Sequence, residues 1–158
     1  MITYTTSDLF QSPAQVWVNA VNTVGVMGKG IALEFKKRYP EMAKEYQTLC
    51  KAGQFDIGQL WLYKAPQKWI LNFPTKRDWR DPSRLEYVET GLIKFAAIYE
   101  QEGITSISFP RLGCGLGGLS WENEVRPLME RYLSPLPIDV VIHVPDDTVR
   151  VVSEKNKS

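Results

Sequence analysis

The sequence predicts a single α/β domain: a three-layer sandwich with a mixed sheet of roughly six strands between layers of helix. Two observations lead there. Short apolar runs rich in Val, Ile, Trp and Phe alternate with longer segments of helical period, the pattern of a largely parallel sheet covered on both faces. Two of those runs end in glycine-rich loops that lead straight into helices, an arrangement typical of such sheets. At 158 residues a chain can bury roughly 68–70% of its unfolded surface, so one core needs neither disulfides nor metal.

The predicted strands cover 2–4, 16–21, 59–63, 69–73, 106–110 and 139–144. Between the third and fourth, Lys64-Ala65-Pro66-Gln67-Lys68 is too short for a crossover helix, so this pair should form an antiparallel hairpin in an otherwise parallel sheet. A helix is expected from Ile31 to Tyr39 and a second after Pro40, since proline suits a first helical turn and disfavours helix just before it. Ser83-Arg84-Leu85-Glu86 reads as a capping box opening a helix that runs to Gly103, with Leu85, Val88, Leu92, Phe95, Ala96 and Tyr99 as its buried stripe. The last helix should begin near Asn123, placing Pro127 at the edge of its first turn. The domain is expected over 1–148, and 149–158 forms a polar, lysine-bearing tail.

The charge balance narrows the functional classes. Nineteen basic against eighteen acidic side chains leave a net charge of +1, which argues against a polyelectrolyte binder that neutralises many phosphates at once. Any contact with nucleic acid must therefore be local. Two cysteines, Cys50 and Cys114, suit a reducing compartment. The opening residues lack a basic segment followed by an apolar one, and no apolar run approaches a membrane span, so a cytoplasmic, membrane-free protein is expected.

The two glycine loops carry the chemistry. The first is Asn22-Thr23-Val24-Gly25-Val26-Met27-Gly28-Lys29-Gly30, followed by helix from Ile31; the second is Arg111-Leu112-Gly113-Cys114-Gly115-Leu116-Gly117-Gly118. Without Cβ atoms, backbone N–H groups can close on an anion, and a helix N-terminus adds partial positive charge. Two such loops suggest two phosphates held together. Neither loop is a P-loop, because the spacing is wrong and no hydroxyl follows Lys29; a Rossmann fingerprint would need glycine where Leu33 stands. Read separately, either loop could equally be a plain turn.

Val18-Asn19-Ala20-Val21-Asn22 with Gly28-Lys29-Gly30-Ile31-Ala32 resembles the first signature of macrodomains. The stretch Phe109 to Gly118 is similar to their P-x-x-G-x-G-x-G segment, and Ser7-Asp8-Leu9 to the motif that opens the domain. The first glycine loop and Asn72-Phe73-Pro74-Thr75-Lys76-Arg77-Asp78-Trp79-Arg80 point to the branch that holds the terminal ADP-ribose glycohydrolase and the DarG-type antitoxins. Those antitoxins remove ADP-ribose from thymidine in single-stranded DNA after a DarT-type toxin has attached it.

The resemblance implies a role for particular residues. Asp8 would accept from the adenine amine, with Leu9 against the same nucleotide and Pro145 bordering the adenine side. Backbone amides of Gly28, Lys29, Gly30 and Ile31, and of Leu112 through Gly117 (Gly113, Cys114, Gly115 and Leu116 between them), would hold the diphosphate. Asn22 would bond the distal ribose beside the scissile bond, and Lys76 would be catalytic. A lysine can form a Schiff base with the open-chain aldehyde of the ribose if its pKa is lowered, or stay protonated and stabilise charge on the departing thymine. Both roles stay open.

One departure weakens the first. The terminal ADP-ribose glycohydrolase carries an aspartate in the second loop where Gly117 stands here, and Glu122 is as readily a helix N-terminal charge, so the general acid or base is unassigned. Arg77, Trp79 and Arg80 interleave cations with an indole and are the DNA-contact candidates. Trp79 either stacks a flanking base or anchors its own loop. His143, the sole histidine, has no clustered ligand partner, so no metal and no cofactor is expected. Cys114 reads as a small residue beside a phosphate rather than a nucleophile.

The expected partners are ADP-ribose, ADP-ribosylated single-stranded DNA, and a DarT-type toxin reached through a domain outside this chain; the domain itself should be a monomer. The alternatives are a non-catalytic ADP-ribose reader, or a hydrolase of ADP-ribose 1″-phosphate or acyl-ADP-ribose esters.

Overall fold

A computed structural model describes residues 1–145; the expected domain end at 148 and the polar tail lie outside the described residues. Six strands form one sheet in the order β1-β6-β5-β2-β4-β3. They are β1 (Ile2–Thr5), β2 (Val16–Val21), β3 (Trp61–Lys64), β4 (Trp69–Pro74), β5 (Ser106–Phe109) and β6 (Asp139–His143). All neighbours pair parallel except β3 with β4. The short polar link at 65–68 leaves no room for a crossover, which is why this pair alone runs antiparallel.

Successive side chains of a strand point to opposite faces, and the central strands use both. Val16 and Val18 of β2 and Leu71 and Phe73 of β4 join a core capped by α3 (Leu85–Ile98) and α4 (Arg126–Leu133). Trp17, Val21 and Ile70 face the other way, onto Phe35, Met42 and Tyr46 of α1 (Gly30–Arg38) and α2 (Pro40–Lys51). Each such side chain, fully buried, contributes roughly 1.5–3 kcal/mol. On the α1–α2 face Asn19 Nδ2 donates to Asn72 Oδ1 at 3.1 Å, and Asn72 Nδ2 reaches Trp61 O at 3.3 Å, which ties the polar centres of β2, β4 and β3 together.

Two helix starts differ from the sequence expectation. The capping box at Ser83 does not form: α3 begins at Leu85, Arg84 precedes it without a side-chain cap, and the Ser83 hydroxyl points elsewhere. Ser83 gives its backbone N–H to Gly117 O instead, at 2.9 Å, so a tertiary bond replaces the local one. α3 ends at Ile98, and a wound turn carries the chain to Gly103, where φ is +76°. The last helix opens earlier than Asn123, with a π-helical turn at Trp121–Val125 before α4. Ser120 caps it, accepting from Asn123 N at 3.2 Å, while Glu124 Oε1 accepts from Ser120 N at 3.0 Å. This is a capping box with one residue more between its members, as the wider π turn requires.

Candidate active site

The parallel strands β2, β4, β5 and β6 end at one rim, and a cavity of about 990 Å³ opens there. Ligands of open α/β sheets bind at this end because the loops and helix N-termini converge on it.

Asn22, buried at the end of β2, organises the first glycine loop. Its Oδ1 accepts from Val24 N (3.1 Å) and Val26 N (3.3 Å), and its Nδ2 donates to Val26 O (2.7 Å). From behind, Tyr46 Oη of α2 donates to Asn22, whose backbone O and Oδ1 both lie 2.7 Å away. Burial pushes the Tyr46 phenol up, so it stays a neutral donor. The side chain assigned to the distal ribose is thus largely committed to its own loop, with one Nδ2 hydrogen left to offer.

The loop then delivers Gly28, Lys29, Gly30 and Ile31 to the cavity wall. Gly30 takes φ +59° to turn the chain into α1, and Lys29, the residue ahead of the helix, provides no side-chain cap. The first-turn amides of α1 are therefore unclaimed by any capping side chain and face a space sized for a ligand, the arrangement that binds anions.

The second loop leaves β5 and winds through a 3₁₀ turn at Gly115–Gly117, also without a side-chain cap. Leu116, 68% exposed, reaches across until its Cδ1 sits 3.4 Å from where a Cβ on Gly30 would stand, so the two loops nearly meet over the cavity. Gly113, Cys114, Leu116 and Gly117 line the cavity; Leu112 is wholly buried in the α3–α4 core, and Gly115 lies outside the lining. Burial raises the Cys114 thiol to about 11, with Arg111 opposing, so it stays protonated and is a poor nucleophile.

Lys76 stands just past the end of β4. Thr75 N donates to Val21 O (2.9 Å), and both the N–H and hydroxyl of Thr23 donate to Arg77 O (3.0 Å each), so the Lys76 loop is stitched to the first glycine loop. Lys76 itself is half-buried in the cavity wall, and among the described residues its ammonium has no hydrogen-bond or ion-pair partner. Lys29, Arg80 and Arg111 share the wall with it, and among the described residues no carboxylate does. Such a surface favours a polyanion strongly.

The remaining expected residues fall into two groups. Trp79, 48% exposed, and Arg80 border the cavity next to Lys76, whereas Arg77 lies outside it with its guanidinium 5.7 Å from the Tyr87 ring. Arg80 is held by Asp78 through two bonds of 3.0 and 2.9 Å, which keep the Asp78 carboxyl down at about 2. At the opposite end Ser7, His143, Val144 and Pro145 close the cavity. Asp8 is exposed just behind Ser7, with Oδ1 capping the turn at Leu9–Gln11 and its second oxygen without a partner among the described residues; Leu9 is buried in the α1–α2 core. Glu122 is turned away onto Arg126 Nη1, 3.2 Å off in α4.

Three further wall residues carried no usable signal. Thr75 and Arg111 lie inside the quoted motif stretches, at positions to which no site role was assigned. Ser83 is only 5% exposed, its hydroxyl has no partner among the described residues, and a Cβ on Gly117 would press into that hydroxyl and come within 3.0 Å of Ser83 Cβ. Its local sequence looks like a helix cap, and nothing along the chain links it to Gly117. His143 is held at both nitrogens, Nδ1 2.8 Å from Ser7 O and Nε2 3.0 Å from Ser108 Oγ, so it fixes the Ser7 end. Among the described residues no three His, Cys, Asp or Glu side chains converge as metal ligands would, and no helix is long and apolar enough to cross a membrane.

Residues 18–128 match the macro domain family. The chain belongs to that family. The macrodomain of Mycobacterium tuberculosis DarG superposes with a TM-score of 0.88 at 45% identity, covering 92% of this chain and 99% of that one. The Thermosipho africanus DarTG structure in complex with ADP-ribose gives 0.87 at 40% identity, over 92% of this chain and 42% of that one. By sequence, the M. tuberculosis DNA ADP-ribosyl glycohydrolase is 43% identical over 96% of this chain and 44% of its own length, so this macrodomain spans less than half of that relative. The human ADP-ribose glycohydrolase OARD1 is more distant, at 27% identity over 90% of each. The six-stranded mixed sheet of this macrodomain is thus the sheet expected from its motifs.

Proposed function

We propose that this macrodomain hydrolyses the N-glycosidic bond between ADP-ribose and a thymine base of single-stranded DNA. The observation that carries the proposal is Lys76: an ammonium with no partner among the described residues, half-buried in the wall that also holds both amide loops and to which the described residues bring no carboxylate. The glycohydrolase activity in the names of relatives at 41–43% identity supports it.

In this reading the diphosphate takes the amides of Gly28 through Ile31 and of Gly113 through Gly117, and Leu116 closes over it. The adenine lies towards Asp8 and Pro145, and the distal ribose lies against Asn22 and Lys76. Cleavage breaks the bond from C1″ to the base nitrogen. Water supplies hydroxide to C1″, and the departing base takes a proton. Lys76, protonated, stabilises the negative charge that builds on the base; alternatively its neutral amine attacks C1″ as the base leaves with a proton, the resulting glycosylamine opens to an imine, and water hydrolyses the imine to free ADP-ribose and the amine. Borohydride separates the two, since only the imine is reduced to a permanent adduct.

The test is release of ADP-ribose from an ADP-ribosylated thymidine oligonucleotide, with ADP-ribose binding followed by calorimetry. Lys76→Ala should lose on the order of 10²–10⁴-fold in rate and still bind ADP-ribose. A wild-type protein that binds the nucleotide and releases nothing is a reader, and the hydrolase assignment then fails. Running the same assay on ADP-ribose 1″-phosphate, O-acetyl-ADP-ribose and a glutamate-linked ester ranks the other substrate classes.

The biological reading is an antitoxin acting as a monomer in the cytoplasm on the product of a DNA ADP-ribosyltransferase. A T. africanus relative in which transferase and glycohydrolase are fused, 41% identical to this chain, supports that pairing. Contact with the toxin would be made by parts of the protein outside this chain.

A further inference from the structure

The near-neutral chain does not spread its charge evenly. From Lys29 to Lys51 it carries six basic side chains against three acidic ones, although the whole molecule is only +1. This segment is α1 and α2, and a shallow groove of about 460 Å³ runs between them. Its walls include Leu33, Lys36, Lys37, Ala43, Lys44 and Gln47, with three lysines and, among the described residues, no carboxylate. Glu34 is taken up by Arg38 at 3.0 Å on the neighbouring face of α1, and Glu41 lies 3.6 Å from Lys44. Glu45 sits beside Lys44 in the chain and does not line the groove. Lys36 and Lys37 have no acidic partner among the described residues.

The groove is joined to the active-site cavity along two routes. Lys29, in the cavity wall, stands immediately ahead of α1, whose Leu33, Lys36 and Lys37 line the groove, and seven residues of helix span about 10 Å. Gln47, in the groove wall, packs behind the first glycine loop, its Cα 3.5 Å from where a Cβ on Gly25 would stand. A basic track thus runs from the cavity over α1 into the groove, with exposed Val24 and Val26 beside its start.

We propose that this track binds the sugar-phosphate backbone of the single-stranded polynucleotide that carries the modified base, a few nucleotides from that base. The proposal rests on the DNA reading given above. Its argument is charge complementarity: a groove lined by lysines and, among the described residues, free of carboxylates, about 10 Å from a lysine in the cavity wall, meets successive phosphates as a flexible strand leaves the site. The aromatic stretch at Trp79 on the other side of the cavity would hold bases, whereas this face holds phosphates and reads no sequence.

The test compares wild type with Lys36→Gln/Lys37→Gln/Lys44→Gln, three exposed substitutions outside the catalytic and ADP-ribose-binding residues. Binding of a fluorescein-labelled oligothymidine of about 12 nucleotides is followed by anisotropy across a salt series, and ADP-ribose release is measured from a modified oligonucleotide and from ADP-ribosylated thymidine nucleoside. Single-strand contacts contribute about 0.7 each to the slope of log K against log salt, so the variant's slope should shallow by about 2. Its KM for the oligonucleotide should rise roughly tenfold at low salt, with ADP-ribose affinity and release from the nucleoside unchanged. Equal slopes and affinities for variant and wild type overturn the proposal, and the lysines then belong to a different partner such as an acidic protein surface. If wild type releases nothing while lysine-dependent DNA binding persists, the hydrolase reading fails and the track stands.

Discussion

Gly117 and Ser83 show how far one contact can decide a site's chemistry. Any Cβ at 117 would press into the Ser83 hydroxyl, and the Ser83 backbone already holds Gly117 O at 2.9 Å. The aspartate that the terminal ADP-ribose glycohydrolase carries in this loop would require Ser83, two residues ahead of α3, to shift. Gly117→Ala should therefore cost about 1–3 kcal/mol as an overpacking change. Adding Ser83→Gly should recover part of it, giving a favourable coupling above 0.5 kcal/mol in a double-mutant cycle read by urea unfolding. Additive effects would show that the two residues do not share the space. With no carboxylate available from that position, the proposed chemistry rests on Lys76.

At the scale of elements, α3 is fitted to β4 through Gly91. A Cβ at this position would overlap the Phe73 ring, whose other atoms fill the α3–α4 core. On helix propensity alone Gly91→Ala should stabilise by about 1 kcal/mol. The clash should win, because Phe73, near the end of β4, is fully buried and cannot swing away; a net loss of about 1–3 kcal/mol is expected. Denaturant midpoints measure it, and a gain in stability would mean that the helix can lift off the sheet. The same strand ends two residues before Lys76, so release of ADP-ribose should fall as well. That stretch is also where sequence reasoning was most complete. Strands, the β3–β4 hairpin and both glycine loops follow from periodicity, turn length and glycine spacing. The starts of α3 and α4 did not, because a tertiary partner and a π turn displaced the local capping preference.

Over the whole molecule, the proposed ligand touches the ends of strands that are far apart in the chain. The first loop follows β2, Lys76 follows β4, the second loop follows β5, and the Ser7–Pro145 wall belongs to β1 and β6. Binding should therefore stabilise the domain as a unit rather than one loop. At a hundredfold excess over its Kd, ADP-ribose should add about 2.7 kcal/mol, or roughly 5–10 °C in Tm for a domain of this size. A thermal shift checks it; no shift at saturation would remove the cavity as the nucleotide site.

Sequence by itself determined the layers, the strand set, the glycine cradles and the family, since each is written in local periodicity and in motifs that keep their spacing. It also placed Lys76 at a strand end. What only the tertiary structure decided is which groups meet: among the described residues, the unclaimed ammonium of Lys76 and a wall without carboxylates, the Asn22 side chain spent on its own loop, and Ser83 against Gly117. Those facts depend on residues tens of positions apart being packed to within a few ångströms, and no local preference of the chain encodes such a distance.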